Sequence, residues 1–433
     1  MIAVRGRLAE LSSAQRAFLL DRRPTYEPDV REKVTRILLD VRSRGDDALR
    51  DMVRRFDGVE LAEFEVPRAL CDNALATLDA QVRSALERAI HNLTTFHRAQ
   101  LPADLEVEVE PGVRVARRSG PLTTAGVYAP GGSASYPSSV LMGVVPARVA
   151  GVSEVVVCSP PGPDGVPSAA VLAAAALANA TRVFALGGAG AVAALAYGTA
   201  SVPRCDAVVG PGNRWVLEAK RQVAGDVRID SPAGPSELLV LADDNADADL
   251  IAAELVAQAE HDPDTAIVLV GTSATLIDAV ASALVSRVTA ASRREVIEAA
   301  LEARGALLIA NSLKDGVEFA NLYAPEHLLV LTECAAADGE GVRTAGTIFL
   351  GPDSSVAFGD YMTGANHVLP TGGASRSFSG LSTLDFLRWW TCQEVGPAAA
   401  SSLARDTAIL AETEGLPSHA AAARLRGNGG ESQ

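Results

Sequence analysis

Four of the six histidines in this 433-residue chain stand near a carboxylate or an amide, a grouping with chemical potential. His261 belongs to Gln258-Ala259-Glu260-His261-Asp262, His327 follows Glu326, His367 comes seven residues after Asp360, and His419 five after Glu414. Imidazole nitrogen with carboxylate and amide oxygen forms a ligand set suited to zinc or a similar divalent ion. An adjacent Glu-His pair also offers two groups that pass protons near neutral pH. Each cluster alone has a plainer explanation. His261 can complement the dipole at the end of a helix over 249–260, Glu326-His327 can be a solvated turn, and His419 can be a polar residue on an alanine-rich helix. Gln258 and His261 are three residues apart and share a helix face. On this pattern a metal site and a set of unrelated polar histidines both stay open.

The elements that must hold these groups read as α/β. Short β-branched runs recur at 154–158, 181–186, 207–209, 237–241, 266–270, 306–309, 327–331 and 347–350. Alanine-rich helical stretches lie between most of them, at 171–178, 192–196, 215–223, 249–260 and 294–302. This alternation predicts parallel sheets covered on both faces and divided into two. The first hundred residues read mainly as helix, over 30–55 and 69–100, and the last dozen residues, ending in 427–433, as a frayed tail. Gly210-Pro211-Gly212-Asn213 follows a strand and opens a helix, so its backbone N–H groups and Asn213 can meet a pyrophosphate or form an Asn-capped turn. Gly188-Ala189-Gly190-Ala191-Val192-Ala193 is a looser glycine match.

The net charge of −15 opposes nonspecific attraction to nucleic acid or anionic membranes, so small-molecule partners are expected. Five widely spaced cysteines without a C-x-x-C pair argue against a disulfide scaffold or a thiolate zinc site and fit a reducing interior. Residues 1–23 lack the apolar core of a signal peptide, and the alanine-rich run 169–180 is too short to span a bilayer. The expected location is the cytoplasm.

Taken in order, the motifs resemble the L-histidinol dehydrogenase family over nearly the whole chain. The matching blocks are Val127-Tyr128-Ala129-Pro130-Gly131-Gly132, Tyr136-Pro137-Ser138-Ser139, Gly210-Pro211-Gly212-Asn213, Glu218-Ala219-Lys220-Arg221 and Pro232-Ala233-Gly234-Pro235-Ser236-Glu237. Further on come Gln258-Ala259-Glu260-His261-Asp262-Pro263, Ala324-Pro325-Glu326-His327-Leu328, Gly359-Asp360-Tyr361, Asn366-His367-Val368-Leu369-Pro370-Thr371, and Glu414-Gly415-Leu416 with His419.

The resemblance implies zinc- and NAD-dependent oxidation of L-histidinol to L-histidine through L-histidinaldehyde, the last steps of histidine biosynthesis. By it, Gln258, His261, Asp360 and His419 would hold zinc, and Glu326 and His327 would be the acid/base pair. Ser236, His367 and Glu414 would contact substrate together with His327 and the zinc ligands, and Tyr128, Gly190 and Asn213 would contact NAD. Gly190 departs from the family's usual glutamine, and 388–393 departs from its usual continuation. A related enzyme acting on a different small polar alcohol, a non-catalytic small-molecule-binding paralogue and a zinc hydrolase are the competing readings.

The implied architecture is two incomplete Rossmann-like domains with parallel sheets. Residues 1–23 would form an N-terminal arm, 24–126 with 236–376 a discontinuous domain carrying the metal and acid/base residues, and 127–235 the cofactor domain. Residues 377–433 would be a C-terminal helical tail exchanged in a homodimer with shared active sites.

Overall fold

Strands with almost no polar side chains must be covered on both faces. Glu237–Ala242 and Ala266–Gly271 are such strands, and all their residues are buried. They form the centre of a parallel sheet ordered Val4–Arg7, Gly305–Ile309, Ala266–Gly271, Glu237–Ala242, His327–Leu331, Thr347–Leu350. A second parallel sheet is ordered Arg182–Ala185, Glu154–Ser159, Thr124–Tyr128, Ala207–Val209, Arg228–Ile229. These strands come from a computed structural model that describes residues 2–22, 28–131, 135–232 and 234–427. Leaving aside the amino-terminal strand, both sheets read 3-2-1-4-5 in their own chain order, as in a Rossmann half. Each has a switch point between its first and fourth strands. The two parallel, Rossmann-like sheets expected from the sequence are present.

Local sequence explains the helices around them. Ala169–Leu177 and Gly188–Tyr197 bury most of their residues, so neither needs a polar face. Asp247, Ser273 and Ser312 open Ala248–Ala259, Ala274–Ala290 and Leu313–Tyr323 with side-chain oxygens that accept first-turn N–H groups.

The first hundred residues pack differently from the expected boundaries. Helix Pro28–Arg44 buries Val30, Val34, Leu38 and Val41 in one core with Val156, Phe184 and Val208 of the five-stranded sheet. This part of 24–126 therefore shares its core with 127–235 and not with 236–376. Helical spacing shows that a face is buried, not which sheet covers it. The expected arm, 1–23, supplies the edge strand Val4–Arg7, and Leu8, Leu11 and Leu19 join the core of the six-stranded sheet.

A separate unit comprises Leu101–Pro121 and Leu387–Gln433. Leu105–Glu110, Val113–Pro121 and Leu387–Val395 pair as an antiparallel sheet, so the expected helical tail contains a strand. Arg114–Glu394 and Arg118–Glu106 ion pairs cross these strands. Helices Pro397–Thr413 and Pro417–Gly427 pack through Ala408, Ala411 and Ala420. The expected frayed tail thus begins inside helix Pro417–Gly427, and its residues 428–433, with Gly132 and Ala233 of the sequence blocks, lie outside the described residues. Among the described residues no helix is long and apolar enough to cross a membrane.

Candidate active site

His327 begins the strand His327–Leu331 of the six-stranded sheet and pairs with Leu238 of Glu237–Ala242. That register sets Glu326 and His327 against the main chain of Glu237. The Glu237 amide donates to Glu326 Oε2 at 2.7 Å, and His327 Nδ1 lies 3.0 Å from the Glu237 carbonyl oxygen. A carbonyl can only accept, so Nδ1 carries the proton and Nε2 keeps its lone pair when the ring is neutral. Nδ1 is also 3.3 Å from Glu326 Oε2, and Nε2 is 3.7 Å from Asp360 Oδ1. Burial opposes the imidazolium, but Glu326 and then Asp360 outweigh it, and the pKa of His327 is pushed up to about 9. Burial also lifts Glu326 above the usual carboxylate range, with His327 holding it back. Both shifts act in one direction: each group of the buried pair holds a proton more tightly than it would free in water.

The expected metal ligands of this half lie on two segments joined by a hydrogen bond. Gln258 lies in the last turn of Ala248–Ala259, and His261 just beyond it. Glu254 of that helix accepts the Val356 amide at 3.2 Å, joining it to the short helix Val356–Tyr361 that carries Asp360. The Asp360 carbonyl accepts from His367 Nδ1 at 2.9 Å. Burial keeps His367 below the usual imidazole pKa, and the nearby charges it feels include Asp360, His327 and His261. Gln258 is buried, and its Nε2 has no hydrogen-bond partner among the described residues. With the amide turned end for end, an oxygen would occupy that place, as a cation requires. Gln258, His261 and Asp360 thus fit zinc as a mixed oxygen and nitrogen donor set. Among the described residues, no three His, Cys, Asp or Glu side chains form a metal cluster.

Ser236 precedes Glu237, and its carbonyl accepts from the Ala266 amide at 3.0 Å. Glu414 and His419 belong to the separate unit. Glu414 caps the end of Pro397–Thr413, and His419 lies in the first turn of Pro417–Gly427. Both are therefore exposed at the turn of one helical hairpin.

The expected cofactor residues gather at the carboxyl ends of the five-stranded sheet. Tyr128 ends the first strand, and its hydroxyl accepts from the Gly188 amide at 3.1 Å, while burial pushes its pKa up to about 12. Gly210 follows the fourth strand with φ 120°, and a Cβ there would collide with the Tyr128 carbonyl oxygen. Behind this turn Lys220 and Asp230 form a buried ion pair. Lys220 Nζ donates to the Gly210 carbonyl at 2.9 Å, and the Gly210 amide donates to Asp230 at 2.8 Å.

Asn213 Oδ1 accepts from the Trp215 and Val216 amides at 3.0 and 3.2 Å, so this is the Asn-capped turn. The Gly210, Trp215 and Val216 amides are thus engaged within the protein. Glycine permits close backbone approach around this turn: a Cβ at Gly131 or Gly187 would press on Pro160, and one at Gly210 on Tyr128. At Gly190 a Cβ would lie 3.0 Å from Met52 Sδ and 3.6 Å from Leu49, so the missing side chain admits close helix packing. Glu237, Lys220, Asp230 and Arg22 had no assigned role in the sequence reading. Glu237 and Lys220 lay inside matching blocks, the one signal available for them.

The fold is built from two Rossmann-like halves. An acetylating aldehyde dehydrogenase from Geobacillus thermoglucosidasius shares it at TM-score 0.50 and 12% identity, over 88% of this chain and 96% of that one. The histidinol dehydrogenase family model matches residues 20–427, and the chain belongs to that family. A histidinol dehydrogenase from Methanosarcina mazei is 44% identical over 97% of both chains, and one from Natronomonas pharaonis is 48% identical over 95% of this chain and 97% of that one. The crystal structure of histidinol dehydrogenase from Elizabethkingia anophelis superposes at TM-score 0.93 with 31% identity, covering 98% of each chain.

Proposed function

We propose that this chain is a zinc- and NAD-dependent L-histidinol dehydrogenase, taking L-histidinol through L-histidinaldehyde to L-histidine. The observation that carries this reading is the buried Glu326–His327 pair, set on the Glu237 main chain at the edge that also holds Asp360. His327 Nε2 accepts the hydroxyl proton in alcohol oxidation, because Nδ1 is committed to the Glu237 carbonyl. Glu326 takes a proton from the water that adds to the aldehyde carbon, and its contact with His327 leaves a path for that proton. Ser236 and His367 orient the substrate, with His367 using Nε2 because Nδ1 faces the Asp360 carbonyl. Bound NAD would supply the hydride acceptor, one molecule for each half-reaction, and bound zinc would supply a Lewis-acidic centre that orients the amino alcohol. Gln258, His261, Asp360 and His419 would hold zinc, and Tyr128, Gly190 and Asn213 would line the NAD site.

The exposed hairpin turn bearing Glu414 and His419 supports a homodimer with exchanged tails, each turn completing the partner's site. The five cysteines are free thiols, which suits a cytoplasmic enzyme.

Half-reaction kinetics test the chemistry. Glu326→Gln should slow aldehyde oxidation by about 100-fold or more and spare alcohol oxidation, whereas His327→Gln should slow the alcohol step. Small, equal effects on both steps would refute the division of labour. Mixing inactive His327→Ala and His419→Ala chains under conditions of subunit exchange should restore activity, since each heterodimer then has one intact site. Exchange without recovery would place His419 in its own chain's site.

A further inference from the structure

We infer that Glu237, gripped by Arg22, is the positioning residue of the Glu326–His327 pair: its main chain aligns both groups, and its carboxylate anchors that main chain. The inference rests on reading Glu326 and His327 as the proton-transfer groups.

Glu237 is a buried carboxylate at the first position of a central strand, where a charge must be fully paired. Arg22 Nε donates to Oε1 at 2.9 Å, Arg22 Nη2 to Oε2 at 3.1 Å, and the Gly372 amide to Oε1 at 2.9 Å. Both side chains of the ion pair are enclosed, Arg22 at 4% exposure and Glu237 at 3%. Arg22 is itself anchored. Its Nη2 donates to the Tyr323 carbonyl at 2.8 Å, Nη1 to the Leu19 carbonyl at 3.1 Å, and the guanidinium lies 3.3 Å from the Tyr323 ring centre.

These contacts join the three segments that carry the site. Ser236 adjoins Glu237, Tyr323 lies three residues before Glu326, and Gly372 lies five after His367. The main chain of one residue therefore answers to the clamp through its side chain and serves the reacting pair through its N–H and its carbonyl. The N–H of Glu237 holds Glu326, and its carbonyl sets the tautomer of His327. A rotation of this residue would disturb both at once. Stability alone does not call for this arrangement, because apolar side chains of similar volume often stabilise a core as well as a buried ion pair does. A planar fork on a carboxylate adds orientation.

The double variant Arg22→Met/Glu237→Gln removes both charges without stranding either one, so it separates positioning from folding. In the zinc-loaded enzyme with NAD and histidinol it should melt near the wild-type temperature and keep its zinc. Its KM for histidinol should stay within roughly twofold, while kcat falls by about 100-fold. Arg22→Lys keeps the charge but loses the fork, and kcat should fall about tenfold at unchanged KM. Wild-type kcat in the folded double variant overturns the inference, as does a change confined to KM. If the double variant does not fold, Arg22→Lys decides by the same criteria. Glu326→Gln and His327→Gln run beside them as controls: normal turnover there would defeat the acid/base reading itself. Impaired controls with normal Arg22 and Glu237 variants would defeat only the positioning role.

Discussion

The five-stranded and six-stranded sheets share the strand order 3-2-1-4-5, yet their candidate chemistry lies at opposite ends. In the first, Tyr128, Gly188, Gly210 and Asn213 stand at the carboxyl end, where Gly188–Tyr197 and Arg214–Val223 begin. In the second, Ser236, Glu326 and His327 stand at the amino end, where Ala248–Ala259 and Leu313–Tyr323 finish. Helix N-termini are electropositive and rich in donors, and C-termini are electronegative and rich in acceptors. One architecture thus provides two sites of opposite sign. A phosphate-bearing cofactor suits the first, and a metal ion, an amino alcohol or an imidazolium suits the second. Asn366 Nδ2 donates to the Met142 carbonyl at 2.7 Å, which ties the loop after Asp360 to helix Pro137–Ala150 of the other half. Each end also has a buried ion pair behind it, Lys220–Asp230 in one and Arg22–Glu237 in the other.

The sharpest way to break this comparison is to damage one end and measure the other. Gly210→Ala combines a left-handed φ with a collision against Tyr128, and the strain alone should cost about 1–3 kcal/mol. Calorimetry should find NAD binding lost and zinc content unchanged. Loss of zinc in the folded variant would mean that the two ends are not separate sites. His261→Ala is the reciprocal change. Removing an outer partner of a ligand commonly costs 10–100-fold in metal affinity, so loss of a ligand itself should cost at least about 100-fold, with NAD affinity intact. Full zinc occupancy at limiting metal would remove His261 from the ligand set.

A smaller effect tests what burial does without a carboxylate contact. His97 is buried, with Nδ1 2.9 Å from Gln100 Oε1, and burial lowers its pKa despite opposing help from Gln100 and Asp385. His327, next to Glu326, moves the other way. With the folded pKa of His97 below the unfolded value of about 6.5, neither state is protonated well above that pH. As pH falls through about 6.5, the unfolded chain takes up a proton first, so stability is lost towards acid until the folded pKa is passed. His97→Gln should lose less thermal stability than wild type between pH 7.5 and 5.5. The same loss in both proteins would mean that His97 does not contribute to the acid limb.

The α/β alternation and the central strands were legible in the sequence, because strands covered on both faces leave uninterrupted apolar runs. The residues of the site could be marked through ordered blocks, above all Gln258 with His261 and Glu326 with His327, whose spacing is local. The strand Leu105–Glu110 also has a local signal, an alternation of apolar and acidic residues. What packing decided was different in kind. The register of His327 against Leu238 set Glu326 and His327 on the Glu237 main chain, and Pro28–Arg44 took its place in the core of the five-stranded sheet. Arg22 reached Glu237 across a sequence separation of 215 residues. No periodicity or spacing encodes such a pairing. A buried charge is tolerated only where the folded chain brings its partner within hydrogen-bond reach.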